Sequence, residues 1–226
     1  MIKGSELITL HEDDVLERAR DIITKNRFSF LPVTDDRGKC TGKITALRIA
    51  GLTEEIINFD YGREVTFKLH TFIKSVGGEI TSGESILSSF TGKLFINGIS
   101  DKRLLTNPET FIFISHYDEN VIVDMMRRGV SVVVVCGLST MDRGIVELAR
   151  KKGVVLVASP KDILSSVIHL FLTMPIKDFV DREHPTFKHY ERVRSVKKEI
   201  VKYNEGGFCV LDDNGFLKGV ITRINY

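Results

Sequence analysis

Apolar residues recur in two alternating rhythms along the first fifty positions. Val15, Leu16, Ala19, Ile22 and Ile23 fall on one side of a 3.6-residue period, which predicts an amphipathic helix. A strand over residues 28–34 follows, then a turn at Asp35-Asp36-Arg37-Gly38, then a second strand running through Ile44. The Asp-Asp-x-Gly turn suits a tight hairpin, because glycine takes a positive φ at no steric cost. The same succession returns at the other end, as a helix over residues 190–201, a strand over 208–211, the turn Asp212-Asp213-Asn214-Gly215 and a strand over 217–221. A shift of 177 positions superimposes the two ends without a gap. Val33 then falls on Val210, Gly38 on Gly215, Gly42 on Gly219 and Ile44-Thr45 on Ile221-Thr222. Upstream, Thr9 falls on Thr186, Leu16 on Val193, Ala19 on Val196, Ile23 on Ile200 and Leu31 on Phe208. One unit is used twice, and since it is too small to bury its own core, the copies are expected to pack face to face.

Between the copies the pattern changes. Residues 111–115, 131–135 and 154–158 are strand-sized apolar runs, separated by helical periodicity over 120–128 and 141–151 and followed by a helix over 161–172. Strands alternating with helices predict a small parallel sheet with crossover helices. Gly129 and Gly153 follow basic last turns and read as C-caps, while Asp118, Glu119 and Asp142 read as N-terminal helix residues favoured by the dipole. Residues 51–110 read as a connector packed on this insert, with a helix over 67–73, a turn at Gly77-Gly78 and a strand over 94–96.

Composition narrows the function classes. The net charge of +2 gives no field that would argue for a nucleic acid partner. No apolar run is long enough for a membrane span, and the first residues lack a signal-peptide pattern, so a cytoplasmic location is the default expectation. Cys40, Cys136 and Cys209 have no metal-ligand spacing and are expected to be small buried or half-buried side chains, with no metal site. His184 and His189 are expected at the surface.

The paired Gly-x-Ile-Thr endings, Gly42 to Thr45 and Gly219 to Thr222, resemble those of CBS repeats. Residues 111–172 resemble the DRTGG domain, with Gly78-Glu79-Ile80 and Phe90-Thr91-Gly92-Lys93-Leu94 similar to its lead-in. The order CBS, DRTGG, CBS is similar to the regulatory insert of CBS-containing family II inorganic pyrophosphatases. The resemblance implies an α/β chain, in which an α+β pair of CBS repeats (residues 1–50 and 174–226) forms one pseudo-symmetric module. A DRTGG-like parallel-sheet domain of two or three layers over 111–173 splits that pair. It also implies an adenine-nucleotide sensor and a homodimer, inhibited by AMP and ADP and activated by ATP or a diadenosine polyphosphate. A pyrophosphatase catalytic domain is the partner it implies. The catalytic DHH motif of that family does not occur in this sequence, so no catalytic residues and no required cofactor are expected.

The implied nucleotide contacts in the second copy are Thr186, Gly207, Phe208, Cys209, Thr222, Arg223 and Asn225, and in the first copy Thr9, Phe30, Leu31, Thr45 and Arg48. Backbone and apolar groups of the first strand would grip adenine, and the hydroxyl and guanidinium of Thr222 and Arg223 would meet phosphate. Adenosine-binding repeats usually carry Asp where this chain has Arg48 and Asn225. Asn can still bond a ribose diol, whereas Arg has no acceptor. The DRTGG signature also departs, reading Cys136-Gly137-Leu138 and His116-Tyr117. Two other readings stay open at this point: a structural or dimerisation module with degenerate clefts, and an enzyme centred on the insert. The second finds no Gly-rich phosphate loop and no Gly-x-Ser-x-Gly in the sequence. As bland alternatives, Thr45 and Thr222 are cap residues, Arg48 and Arg223 surface charges, and Phe30 and Phe208 core.

Overall fold

Asp35 and Asp212 show why the two ends fold alike. Asp35 Oδ1 accepts from the N–H groups of Arg37 and Lys39 at 2.9 and 2.8 Å, and Asp212 Oδ1 from those of Asn214 and Phe216 at 3.0 and 2.9 Å. Gly38 and Gly215 complete the turns at φ 77° and 85°, in the left-handed region that glycine enters freely. A computed structural model of the chain describes residues 2, 3, 7–61, 64–83, 89–100, 107–203 and 205–222.

The elements begin with β1 (Ile2–Lys3), β2 (Leu10–His11), α1 (Leu16–Asn26), β3 (Phe30–Thr34), β4 (Cys40–Thr45) and α2 (Ala46–Ala50). Next come α3 (Leu52–Ile57), β5 (Glu64–Phe67), α4 (Leu69–Ser75), β6 (Glu79–Ser82), β7 (Phe90–Ile96), β8 (Phe111–His116) and α5 (Glu119–Arg128). Then follow β9 (Val132–Cys136), α6 (Arg143–Lys152), β10 (Val155–Ser159) and α7 (Ile163–Leu172). The last are β11 (Thr186–Lys188), α8 (Val193–Ile200), β12 (Gly207–Leu211) and β13 (Leu217–Thr222). They form two compact units, residues 1–51 with 175–226, and residues 52–174.

The first unit holds both repeats, and their registers coincide. Parallel pairing sets Leu10 against Val33 and Phe187 against Val210, while antiparallel pairing sets Phe30 against Thr45 and Gly207 against Thr222. Even the slip in register recurs, after Val33 and after Val210. The stripe on α1 buries Leu16, Ala19 and Ile23, and that on α8 buries Val196 and Ile200 against Phe187 and Phe208. A side chain such as Leu16 contributes about 1.5–3 kcal/mol by this burial. Lys39 and Phe216, which occupy the same repeat position, bridge each other, so the pseudo-twofold axis passes between them.

The second unit is a sheet in the order β5-β7-β8-β9-β10-β6. Its four central strands are parallel and the two edges antiparallel. All five residues of β9 and of β10 are buried, as expected for strands covered on both faces. Phe111, Phe113, Val133 and Val135 face Ile122, Met126 and Ile145 of α5 and α6, and α7 lies against β8 and α4 elsewhere in the unit. The stretch read as a connector therefore enters the sheet itself, supplying β5, β6 and β7. The helix expected over 67–73 is a strand to Phe67 and a helix from Leu69, because Val65 and Phe67 are buried between exposed Glu64 and Thr66. Gly129 and Gly153 do cap helices in the left-handed conformation, and Asp118 and Asp142 do cap N-termini.

Candidate nucleotide cleft

The first repeat's helix ends at Asn26 with Arg27 as its cap, and the chain runs through Phe28 and Ser29 into β3. That run places Phe28, Ser29, Phe30, Leu31 and Pro32 along one wall of a cleft of about 80 Å³. Leu7 and Ile8 of the entry segment form a second wall, and Val220 and Thr222 of β13 the third. The cleft thus joins the first strand of one repeat to the last strand of the other. Its lining is mostly apolar, with the Thr222 hydroxyl and the Ser29 hydroxyl as side-chain polar groups. Gly207, which pairs with Thr222, backs the wall so tightly that a Cβ there would lie 2.1 Å from the Phe30 ring.

Of the residues expected to bind, the structure brings together Phe30, Leu31 and Thr222. Phe208 and Cys209 are fully buried in two core clusters, and Thr186 is exposed opposite Cys209 on β11. Thr9 is half-buried before β2. The Thr45 hydroxyl caps α2, accepting from the Arg48 N–H at 3.1 Å, and the Arg48 side chain is exposed. Arg223 and Asn225 lie outside the described residues. Thr222 pairs with the first strand of its own copy at Gly207, and across the cleft it also meets the first strand of the other. Leu7, Ile8, Phe28, Ser29, Pro32 and Val220 were missed for this reason, since repeat matching says nothing about which copies' strands meet.

Behind Phe30 lies a buried polar centre. The Lys43 ammonium is 2% exposed, paired with the Glu205 carboxylate and donating to Gly207 O at 3.2 Å. It sits 5.8 Å from the ring centres of both Phe30 and Phe208. Burial pulls its pKa below the usual lysine value, partly countered by Asp181 and Cys209. The Cys209 thiol donates to Cys40, which lowers the pKa of Cys40 and, with burial, pushes that of Cys209 up. His184, expected at the surface, is half-buried, because Asp181 and Lys43 exchange backbone hydrogen bonds that draw its segment onto β4. Burial, and then the Lys43 charge, hold its pKa below the usual value.

Among the described residues no helix is long and apolar enough to cross a membrane. Residues 1–52 match the CBS domain. The chain is 19% identical over 212 residues to the cobalt-dependent inorganic pyrophosphatase of Clostridium perfringens. That match covers 93% of this chain and 39% of the relative, so the chain spans about two fifths of the relative's length. The crystal structure of the CBS and DRTGG domains of the regulatory region of Clostridium perfringens pyrophosphatase, complexed with the activator diadenosine tetraphosphate, is similar at a TM-score of 0.70. It is 18% identical, and the match covers 99% of this chain and 100% of that one. The chain thus carries a CBS match at residues 1–52 and, across almost its whole length, the fold of that CBS–DRTGG crystal structure.

Proposed function

We propose that the chain is an adenine-nucleotide-sensing regulatory module, binding AMP, ADP, ATP or a diadenosine polyphosphate, with no catalysis of its own. The observation that carries this reading is the apolar cleft between Phe28–Pro32 and β13, with Thr222 at its rim. At about 80 Å³ it is well short of the roughly 300 Å³ of a closed small-molecule site. The base would enter the cleft at the Thr222 rim, leaving ribose and phosphates outside it. Ligands with different numbers of phosphates then share one anchor and differ outside it, and only that difference in affinity can shift a conformational equilibrium. The solved relative with diadenosine tetraphosphate bound supports the same reading. The proposal includes a cytoplasmic homodimer acting on a pyrophosphatase catalytic domain.

A structural module with degenerate clefts is favoured at one position: Arg48 stands where a diol acceptor is needed, and Thr45 is engaged as a cap. That argues for one working cleft, built on Thr222. Isothermal titration of the four nucleotides is expected to show saturable binding, weakened about tenfold or more in Thr222→Val through loss of a hydroxyl bond to phosphate. No heat from the folded chain with any of the four would leave the structural module as the answer. Release of phosphate from pyrophosphate by this chain would refute the non-catalytic part, and a monomer mass by light scattering the dimer.

A further inference from the structure

Three side chains far apart in sequence meet beside the pseudo-twofold axis. Cys40 opens β4 of the first repeat, Cys209 sits mid-strand in β12 of the second, and His184 lies in the segment before β11. Two hydrogen bonds between Lys43 and Asp181, 3.1 and 2.9 Å, tie that segment to β4. Gly42 permits the approach, since a Cβ there would lie 2.2 Å from Val180 Cγ1 and 2.5 Å from Asp181 O. Asp181 O also receives His184 Nδ1 at 3.0 Å. A carbonyl can only accept, so Nδ1 carries the proton and Nε2 keeps a bare lone pair. Nε2 is buried and has no hydrogen-bond partner among the described residues. The two sulfurs and a ring nitrogen of His184 all lie within 4.8 Å of one another.

We propose that Cys40, His184 and Cys209 form a three-donor site for a thiophilic divalent cation, zinc in the first instance, with a fourth position left to water. A ring held through Nδ1–H by a backbone carbonyl is how metal-binding histidines are oriented. An ion about 2.3 Å from each sulfur and 2.0–2.1 Å from nitrogen sets its donors roughly 3.5–3.8 Å apart. From within 4.8 Å, that asks for side-chain adjustments of about an ångström. Two thiolates cancel the charge of a divalent ion, which suits surroundings that include the apolar Phe30, Val220, Leu211 and Leu217. Cys40 is half-buried and gives a way in, while Cys209 is fully buried. The repeat places Leu217 and Pro32 at the positions equivalent to Cys40 and Cys209, so each chain has one such site and not two.

The test is titration of the reduced full-length chain with Co²⁺ alone, followed by Zn²⁺. We expect about one equivalent to bind. Sulfur-to-cobalt charge transfer and intense tetrahedral d–d absorption should appear, and both should vanish as zinc displaces cobalt. Cys40→Ser and His184→Gln should each weaken cobalt binding by at least roughly tenfold, the lower bound even for a partner that only orients a ligand. Cys136→Ser, in the other unit, should leave it unchanged, and circular dichroism melts confirm that the variants are folded. Cobalt bound without sulfur bands, or lost instead on Asp36→Asn in the exposed group of His11, Asp13 and Asp36, would overturn the proposal. So would a Cys40–Cys209 disulfide forming in air while the reduced chain takes up no cobalt.

Discussion

Arg27 ends α1 in the left-handed region, at φ 54° and ψ 39°, with its N–H bonded to Ile23 O. It is the one non-glycine residue at positive φ among the described residues, where α5 and α6 end on Gly129 and Gly153. An L side chain in that region costs about 1–2 kcal/mol, part of which glycine would lose again to its freer unfolded chain. Arg27→Gly is therefore expected to stabilise the chain by about 1 kcal/mol. A urea midpoint that falls on substitution would show the arginine to be held there by contacts worth more than its strain. Asp162 makes a second residue-scale case. Its carboxylate accepts from the Ser165 hydroxyl at 2.6 Å and the Ser165 N–H at 2.8 Å, and these bonds hold its pKa below the usual carboxylate value. With the folded value below the unfolded one, the cap's stabilisation is present above the ordinary value and is lost as pH falls through the folded one. The first turn of α7 should loosen in acid, and Asp162→Asn, an acceptor without a charge, should lack that step. Equal acid loosening of the Ser165 and Ser166 amides in both proteins would rule the carboxylate out.

At the scale of elements, Gly207 on β12 decides the depth of the cleft. A Cβ there meets the Phe30 ring at 2.1 Å, so the ring must shift toward the space it lines. Gly207→Ala is expected to cost about 1–3 kcal/mol, the usual range for overpacking, and to lower nucleotide affinity as well. A lowered melting temperature with unchanged titration would mean that Phe30 is core and no wall of the site. The difference between what could and could not be read in advance follows the range of the interactions. The turns at Asp35 and Asp212, the stripe on α1 and the caps at Asp118, Asp142, Gly129 and Gly153 rest on neighbours a few residues apart, so the sequence spells them out. Edge strands such as β5 are fixed by partners elsewhere: Val65 and Phe67 alternate too briefly to reveal a strand until β7 is beside them. The cleft belongs to this second class, because matching the repeats sets Thr222 beside Gly207, its strand partner, and only folding adds Phe30 of the other copy. His184 belongs there too, since nothing near it in sequence announces the Asp181–Lys43 pairing that buries it.

On the scale of the whole molecule, the insert interrupts the repeat pair in sequence and forms a compact unit of its own. Residues 52–174 close a sheet of their own, with β9 and β10 buried throughout and Phe95, Phe111 and Phe113 packed under α5 and α6. Residues 1–51 and 175–226 hold both repeats, the bridge between Lys39 and Phe216, and every lining residue of the cleft. A segment with its own layered core should fold when excised. Residues 52–174 alone are thus expected to melt cooperatively, and a chain joining Gly51 to Pro175 through a flexible Gly/Ser linker should keep a folded pair of repeats. The informative measurement is nucleotide titration of that joined chain. Affinity equal to that of the full chain would place recognition wholly in the repeats and leave the insert to relay or assemble. A folded joined chain that no longer binds would make the insert part of recognition, because the cleft's own walls would still be present.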